Sequence, residues 1–518
     1  MDRERLTKIV PPVALDRRSF LGAAFALGVA AGLTPARAQP KSGGLLRMGL
    51  GSGETQDDLD PATVNNPMTQ VMSFSLRNCL VEIDRDNNAV PELAESWSVD
   101  KGAKRWVLKV RDGVQFHDGK PFTAADAVYS IDYHRGQNSK SAAKPLLASI
   151  ESVRADGRDL IIDLTEGSAD FPFVLADYHL HMIPEGTKDF RNGMGTGPFL
   201  LESFDPGVRA RLKKNPNYWK AGKGHFDEVE ILSLKDVAAR QNALITREVD
   251  LIDNLAPNIT KLLEKQPGIT VNVINGMQHY SFPMHCDTPP FDNVDVRIAL
   301  KLAIDREDMV RKILSGYGKI GNDQPISSVN RYFDKSIPQY VYDPDKAIFH
   351  LKKAGAEGLK VQLHASDAAY AGAVDSAQLY REHAAKAGID LEVVSEPADG
   401  YWSNVWLKKP WMITIWYGRP TEDWMFTMAY AAQAEWNDSR WNNPRFEQLL
   451  KDARAELDDN KRRTMYGDMQ RLLHDQGGAV IPAFAAYLQA HNGTIASDGI
   501  ATNYPLDGFR LTERWWRA

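Results

Sequence analysis

The sequence contains very little cysteine and few long apolar stretches. Its 518 residues include only two cysteines, Cys79 and Cys286, which excludes a scaffold held by several disulfides and a cysteine-rich zinc site. A single bridge between these two residues remains open. Beyond residue 38, no apolar stretch reaches the roughly 20 residues that a membrane-spanning helix requires. These absences exclude a multi-spanning membrane protein and a small disulfide-rich domain.

Catalytic signatures are missing as well. The sequence has no G-x-S-x-G nucleophile elbow, no phosphate loop ending in Gly-Lys-Ser/Thr and no H-E-x-x-H motif. His179 and His181 could lie on one side of a strand, but two ligands alone do not define a metal site. We therefore expect no enzyme activity, no catalytic residue, no cofactor and no metal site. The contrasting alternative is a periplasmic hydrolase or lyase that uses the acids near Trp424.

The overall composition is that of an ordinary soluble protein. Apolar residues make up 43% and charged residues 25% of the chain, with 62 basic and 68 acidic side chains. At roughly 100–200 residues per domain, this length predicts about three folding units. Affinity for nucleic acid or anionic lipid requires clustered Lys and Arg. Because acidic groups are in excess, we expect no nucleic-acid partner.

The first 38 residues have the pattern of an export signal. The pair Arg17-Arg18 precedes an apolar run, Phe20–Leu33, and Ala36-Arg37-Ala38 offers the small-x-small pattern that signal peptidase reads. The arginine pair with Phe and Leu behind it resembles a twin-arginine (Tat) signal. An amphipathic surface helix is the alternative. Cleavage near Ala38 would remove six basic and three acidic residues and change the net charge from −6 to −9. We expect a soluble periplasmic protein.

Strand patterns occur in the first half of the chain. Apolar and charged residues alternate over residues 105–111, and Leu160, Ile162 and Leu164 repeat the same period. This period is typical of half-buried strands. The dipeptides Asp112-Gly113 and Asp118-Gly119 predict tight turns, because both tolerate positive φ.

Helix patterns dominate the second half. Asp343-Pro344 supplies an N-cap and a proline at the first helical position, and Gly355 marks the end of that helix. Asn443-Pro444 opens another helix, whose apolar residues recur at helical spacing on one face. These residues are Phe446, Leu449, Leu450 and Ala453. The fold class is therefore α/β in the sense of mixed α and β, without a repeat of solenoid period.

Several long segments carry a family resemblance. They are LVEI (80–83), VPELAESW (90–97), WVLKVRDGVQFHDGKPFTAADAVYS (106–130), GTGPF (195–199), NPNYW (215–219), DVRIAL (295–300), AIDR (303–306), YDPDKA (342–347) and NPRF (443–446). In this order they resemble the dipeptide-, oligopeptide- and nickel-binding proteins of ABC importers, known as solute-binding family 5. The resemblance covers the chain from about residue 43 onward.

The resemblance implies a two-lobed periplasmic-binding-protein fold of three domains. The first lobe would comprise 43–75, 193–282 and 484–518, with an additional inserted domain, 76–192, attached to it, and the second lobe would be 283–483. Crossover segments near Ser281–His285 and Pro482–Ala485 would form the hinge. The implied function is that of a monomeric carrier that closes on a solute between its lobes and presents it to the permease subunits in the inner membrane.

The resemblance also points to a region for the ligand. Seven of the twelve tryptophans fall between residues 402 and 441, which indicates an apolar wall of the interlobe cleft. The family's peptide binders carry an aspartate three residues after a tryptophan, where it pairs with the amino group of a bound peptide. Ungapped alignment of Trp416 and Phe426 puts Arg419 in that place. A guanidinium there would favour a carboxylate or another anionic group.

Two alternatives to this interpretation stay open. Arg419 could turn away to pair with Glu422 or Asp423, which would restore an acidic site, or the cleft could have a different geometry. Further candidate ligand-binding residues are Trp402, Trp416, Tyr417, Asn65, Asn66 and Tyr280. The expected ligand is a short peptide, an opine-like conjugate or another amino-acid-derived polar solute. Nickel or haem is the alternative ligand, because the family includes such members.

Overall fold

The computed structural model describes residues 40–518 and the short strand Thr7–Lys8. The strands are β1 (Thr7–Lys8), β2 (Leu45–Leu50), β3 (Val81–Ile83), β4 (Ala89–Pro91), β5 (Ala94–Val99), β6 (Arg105–Val110), β7 (Ile150–Asp156), β8 (Asp159–Leu164), β9 (Phe199–Asp205), β10 (Arg209–Lys214), β11 (Glu228–Ser233), β12 (Leu251–Ile252), β13 (Thr270–Pro283), β14 (Gly318–Ile320), β15 (Lys360–Ala365), β16 (Asp390–Ser395), β17 (Thr414–Trp416), β18 (Ala479–His491), β19 (Ile495–Ala496) and β20 (Trp516–Arg517). Apart from Thr7–Lys8, the proposed export signal, with Arg17-Arg18 and cleavage near Ala38, lies outside the described residues.

Helices are interspersed with these strands throughout the described chain. They are α1 (Pro67–Leu76), α2 (Ala124–Arg135), α3 (Phe171–Val174), α4 (Val237–Ile245), α5 (Pro257–Leu263), α6 (Val294–Leu302), α7 (Arg306–Lys312), α8 (Pro344–Ala354), α9 (Ala373–Ala385), α10 (Tyr401–Asn404), α11 (Glu422–Ala429), α12 (Pro444–Ala455), α13 (Asp459–Gln476), α14 (Pro505–Gly508) and α15 (Leu511–Arg514), with a short 3-10 helix at Lys144–Leu147. The mixed α and β class predicted from the sequence is confirmed. Among residues 40–518, no helix combines the length and the apolar character that crossing a bilayer requires.

The largest sheet has nine strands and mixed direction. Its order is β17-β13-β18-β12-β2-β11-β10-β9, and β14 pairs with β18 beside this path. Strand β2 is parallel to β11 and β12, whereas β13 and β18 are antiparallel to each other. These two long strands are the core of the sheet where it joins the two lobes.

The inserted domain is built on a separate antiparallel sheet of order β1-β5-β6-β8-β7. Strands β6 and β8 occupy the positions that the alternating pattern predicts, and Trp106, Leu108, Leu160 and Ile162 are buried in its core. Both predicted turns are present, since Gly113 and Gly119 have φ of 75° and 87°. The local pattern therefore determines this part of the fold.

Helix caps confirm the two helices that were predicted in the second half of the chain. Asp343 accepts a hydrogen bond from the Lys346 N–H at the start of α8, and Gly355 ends that helix in the left-handed conformation. Asn443 caps α12 through the Arg445 and Phe446 N–H groups. All four apolar residues expected on one face of α12 are buried.

The described chain has five hydrophobic cores. Four of them lie mainly within one predicted range each, and the fifth packs Leu244, Ile252 and Leu488 of the first lobe with Tyr317 of the second lobe. The inserted domain has one core between Leu80 and Met182, and the first-lobe core combines residues from 46–79, 199–251 and 495–515. The second lobe has an α/β core around the parallel pair β15–β16 and an outer core of helices α11 to α13. We use the names first lobe, inserted domain and second lobe for the ranges predicted above, whose bounds stay a prediction.

Candidate functional site

The site is organised around the two long strands that pass between the lobes. Strands β13 and β18 pair from Thr270 and His491, in the first lobe, to Pro283 and Ala479, in the second lobe. The register shifts twice along this pair, once between Asn275 and His279 and once between Tyr280 and Phe282. Both crossover segments expected from the sequence, near Ser281–His285 and Pro482–Ala485, lie toward the second-lobe end of this strand pair. At a register shift the hydrogen-bond ladder is already interrupted, so a small change of backbone angles there breaks few hydrogen bonds. A hinge requires such a place.

Arg419 lies in a loop that packs directly on β13. Strand β17 pairs with β13, with Trp416 opposite His279, and the chain then passes over Met277. A Cβ atom at Gly418 would lie 2.0 Å from the Cβ of Met277, so only glycine permits this approach. The following residue is thereby held against the hinge strand.

The guanidinium of Arg419 has no carboxylate partner among residues 40–518. Its Nη1 donates to the carbonyl oxygens of Tyr417 (2.8 Å) and Gly418 (3.2 Å), and its Nη2 lies 3.1 Å from the sulfur of Met428. The side chain is half-buried. These contacts orient the group but leave its charge uncompensated, which suits an anionic ligand.

The charge of Arg419 influences the pKa of three tyrosines from the other two domains. Tyr178 belongs to the inserted domain, and Tyr487 and Tyr504 belong to the first lobe. Burial raises the pKa of Tyr178 to about 12, and the positive charge of Arg419 opposes this rise. Burial also raises the pKa of Tyr487 and of Tyr504, again against the effect of Arg419. The charge of Arg419, in the second lobe, thus influences tyrosines of both other domains, and two of these tyrosines, Tyr178 and Tyr504, contact each other with ring centroids 6.1 Å apart.

His279 adds an uncharged imidazole to this region. Its Nδ1 lies 3.2 Å from the carbonyl oxygen of Met277, and its Nε2 is buried without a hydrogen-bond partner. Burial is the main cause that lowers the pKa of His279 to about 4, and the charge of Arg419 contributes to this shift. The imidazole is therefore neutral at pH 7, and Arg419 carries the positive charge in this region.

The two acids that follow Arg419 are engaged elsewhere. Glu422 is buried and accepts a hydrogen bond from the Tyr332 N–H (2.7 Å), and Asp423 pairs with Arg454 (3.1 Å). Burial raises the pKa of Glu422 to about 7. The pairing of Arg419 with either acid, which was one alternative from the sequence, is not found in the described part of the chain.

Four tryptophans form one cluster in the second lobe. Neighbouring ring centroids of Trp402, Trp406, Trp416 and Trp436 lie 5.7 to 6.3 Å apart. Trp416 is buried, whereas Trp402 and Trp436 are 43% and 42% exposed. Tyr417, on the next position of the chain, is 59% exposed. The indole rings of Trp402 and Trp436 are thus partly exposed to solvent, and Trp416 is the buried member of the cluster.

A buried aspartate beneath this cluster was missed by the sequence analysis. Asp438 accepts hydrogen bonds from the indole N–H groups of Trp416 (3.0 Å) and Trp406 (3.4 Å). Burial raises the pKa of Asp438 to about 7. No local sequence pattern marks this residue, because its partners lie 22 and 32 positions away.

The first-lobe amides have different roles. Asn66 caps α1, since its side-chain oxygen accepts from the Met68 and Thr69 N–H groups, and its amide nitrogen donates to Asp57 (2.9 Å). Asn65 is exposed. The side-chain oxygen of Asn65 accepts a hydrogen bond from the Asn66 amide (3.0 Å), so of the Asn65 side chain only the amide nitrogen has no hydrogen bond within the described residues.

Tyr280 packs into the second lobe, although the predicted bounds place it at the end of the first lobe. Its ring stacks on that of Tyr370 with centroids 3.5 Å apart and planes at 2°, and the side chain is buried in the α/β core of the second lobe. It supports the hinge strand from within the lobe, while Tyr417 is exposed above the strand.

The structure does not contain a bridge between the two cysteines. Cys79 is buried in the first-lobe core, and Cys286 packs against the outer helical core of the second lobe. Burial raises the pKa of Cys286 to about 11 and also raises that of Cys79. The sequence left a disulfide between Cys79 and Cys286 open, and the structure instead has two separate thiols.

A metal site at the paired histidines is not formed either. His179 binds the carboxylate of Asp177 (2.6 Å), and His181 is fully buried against the ring of Phe74. Within the described residues, three carboxylates converge at one point, those of Glu82, Glu92 and Glu513. Three cations compensate them: Lys220, Arg510 and Arg514.

Two surface cavities lie away from Arg419. One, of about 470 Å³, borders the hinge at Asn275, Gly276 and Phe484 and continues along residues 319–339. The other, of about 460 Å³, lies between Lys261 of the first lobe and the segment 307–320 of the second lobe. Neither includes the aromatic group around Arg419.

Comparison with known proteins identifies the family. The sequence model described as "Bacterial extracellular solute-binding proteins, family 5 Middle" matches residues 88–438. The dipeptide-binding protein of Escherichia coli K12 is 27% identical over 457 residues, which cover 80% of this chain and 85% of that protein. The glutathione-binding protein GsiB of Pectobacterium atrosepticum is 26% identical over 462 residues, covering 85% and 89%.

A solved structure extends the similarity to the fold. The PBP AgaA of A. tumefaciens R10, in complex with agropinic acid, superposes with a TM-score of 0.74 at 22% identity, over 92% of this chain and 99% of that one. Members of the matched family are substrate-binding proteins of transport systems rather than enzymes, and they act outside the cytoplasm. With its family match across more than half of its length and its two-lobed fold, the chain belongs to the bacterial extracellular solute-binding proteins of family 5, the binding components of ABC importers.

Proposed function

We propose that the protein captures a small amino-acid-derived solute and that a carboxylate of this solute binds Arg419 in the cleft between the lobes. The observation that carries the proposal is a half-buried guanidinium that has no carboxylate partner in the described chain and whose charge acts on tyrosines of the other two domains. A carboxylate can accept two parallel hydrogen bonds from such a group. An ammonium group would be repelled at the same place.

The named ligands of the similar proteins agree with this chemistry. Dipeptides, glutathione and agropinic acid all carry carboxylates. The exposed indoles of Trp402 and Trp436 and the ring of Tyr417 offer apolar and aromatic surface for the remainder of a small solute. We propose short peptides and opine-like conjugates as the ligand class.

The finer features of the carrier are part of the same proposal. The three domains have the bounds given above, and the mature chain begins near Ala38 after export by the Tat route. The protein acts as a monomer in the periplasm and delivers its ligand to a permease in the inner membrane. Ligand binding stabilises the closed arrangement because only that arrangement brings both lobes into contact with the solute.

Native mass spectrometry of protein purified from the periplasm tests the ligand class. A bound mass that disappears on denaturation should have the formula of a carboxylate-bearing compound. The same sample gives the mass of the mature chain and thus the cleavage position. A bound metal chelate or haem would contradict the proposal.

Arginine variants test the role of Arg419. Arg419→Ala should weaken binding of the identified solute, or of agropinic acid and glutathione as probes, by about tenfold or more, since a hydrogen bond to a charged group contributes about 1.5–3 kcal/mol. Arg191→Ala is the matched control, because its side chain is 90% exposed and pairs only with Asp189. Titration calorimetry that gives equal affinity for Arg419→Ala and the wild type would refute the proposal.

A further inference from the structure

The inserted domain contacts the second lobe at a buried ion pair. The carboxylate of Asp170, at the start of α3, accepts a hydrogen bond from Nη2 of Arg462 in α13 at 2.6 Å. The side chains are only 9% and 4% exposed. Asp170 belongs to the inserted domain and Arg462 to the second lobe, 292 positions later in the chain, so the pair connects these two domains.

Arg462 is held in a socket made of two tyrosines. Its guanidinium lies over the rings of Tyr332 and Tyr466, 5.2 and 5.4 Å from their centroids, and its Nη groups reach both hydroxyls (3.2 and 3.3 Å). The Nε atom has no partner. Asp170 is the carboxylate that ion-pairs with this cation, so its departure would leave a buried charge uncompensated.

Three further contacts close the same interface. The Ala169 N–H donates to the carbonyl oxygen of Arg454 at 2.7 Å, and Leu457 packs against the core of the inserted domain. On another edge, the side-chain amide of Asn87 donates to the carbonyl oxygen of Val329 (3.1 Å). The inserted domain therefore touches the second lobe with backbone, apolar and charged groups together.

These contacts cross the boundary that must open for a solute to enter. The inserted domain is attached to the first lobe through the buried cluster of Glu92 and Arg510, and the hinge strands connect the first lobe to the second. When the lobes separate about this hinge, Asp170 moves with the first lobe and Arg462 with the second. A separation of the lobes that carries the inserted domain with the first lobe would break the ion pair.

We propose that Asp170 and Arg462 form a closure latch, through which the inserted domain holds the second lobe shut over a bound solute. The inference rests on the proposed function, since it requires a protein that opens and closes on its ligand. It assigns a role to the inserted domain in ligand retention in addition to its part in the architecture.

Hydrogen exchange of the ligand-free protein, resolved to single amides, tests the latch. The Ala169 amide is protected by a bond across the interface, whereas the amides of β8 are protected within the inserted domain. If the interface opens, Ala169 exchanges much faster than β8. Equal protection of Ala169 and β8 would mean that the two domains separate only on unfolding, and would overturn the proposal.

Variants then test the ion pair itself. Asp170→Asn should lower the protection of Ala169 by about tenfold or more, the effect of truncating one partner of a buried charge pair, and leave β8 unchanged. Arg462→Gln should do the same. Asp189→Asn is the control, since it removes an exposed Asp–Arg pair within the inserted domain and should leave Ala169 unchanged.

The two proposals fail in different ways. Unchanged protection of Ala169 in both Asp170→Asn and Arg462→Gln would refute the latch, whatever solute the protein binds. Because this experiment contains no ligand, it gives the same answer if the carboxylate preference of Arg419 is wrong. Small-angle scattering provides a second measurement: both variants should increase the radius of gyration relative to Asp189→Asn.

Discussion

Replacing Glu92 with glutamine should severely destabilise the junction between the inserted domain and the first lobe. The Glu92 carboxylate is fully buried and receives two hydrogen bonds of 2.8 Å from Arg510 and one of 2.7 Å from Lys220. It also accepts from the side chain of Asn78 (2.8 Å) and from the Cys79 N–H (3.0 Å). Every acceptor position of the group is therefore used.

The expected cost follows from the charges in the cluster. In the wild type the carboxylates of Glu82, Glu92 and Glu513 balance three cations, whereas the glutamine variant leaves three buried cations to share two of these carboxylates. The amide nitrogen would also point a donor at the donors of Arg510 or Lys220. Breaking a buried pair from one side costs about 3–5 kcal/mol, compared with about 0–1 kcal/mol for an exposed pair.

Urea unfolding followed by pulsed hydrogen exchange measures this cost for each domain. Domain resolution is needed because a chain with several cores does not unfold in two states. Peptides of the inserted domain should lose protection at lower urea in Glu92→Gln, while those of α8 and α12 should not shift. Glu202→Gln, at an exposed position of β9, is the control and should match the wild type.

A compensating variant gives the decisive comparison. In Glu92→Gln combined with Arg510→Met, two carboxylates and two cations remain, so more than half of the lost stability should return. The reasoning would be refuted by a loss below about 1 kcal/mol in the single variant, which is the range of exposed pairs. It would also be refuted by equal losses in the single and the double variant.

Three further predictions follow from the structure. Burial raises the pKa of Glu422 to about 7 from its usual 4.5, so the folded state binds this proton more tightly than the unfolded state. The free energy of unfolding should therefore decrease as pH rises from 5 to 8. Denaturation curves of Glu422→Gln should show a smaller decrease, and a pH profile equal to that of the wild type would contradict this prediction. Gly418→Ala should displace the loop from Met277 and weaken solute binding in calorimetry with less effect on the melting temperature, and wild-type affinity would speak against this packing. Thiol titration of the unfolded, unreduced protein should find two free thiols, whereas none would restore the bridge between the cysteines.

The sequence predicts local structure wherever the cause is local. The caps at Asp343 and Asn443, the left-handed Gly355 and the alternating residues of β6 and β8 each depend on neighbours within a few positions. The family resemblance extends this to the two-lobed architecture. These are the parts of the fold that the sequence alone could supply.

The site could be predicted only in part, because its surroundings depend on residues that are distant in the sequence. Arg419 was found because it occupies a family position, but its surroundings come from distant segments, with Tyr178, Tyr487 and Tyr504 in two other domains. Asn66 has a side chain that could contact a polar ligand, but in the structure it caps helix α1. The deciding information is which groups already have partners, and a linear pattern does not contain it.

The position of the C-terminal segment has a consequence for the order of folding. Arg510, Arg514 and Trp515 complete both the first-lobe core and its junction with the inserted domain, and Arg517 reaches back to Asp250. Their partners precede them by several hundred residues, with the whole second lobe between. The first-lobe core and this junction therefore cannot be completed until residues 510–517 have been synthesised, whereas the second lobe, which is continuous in sequence, has all its residues available earlier.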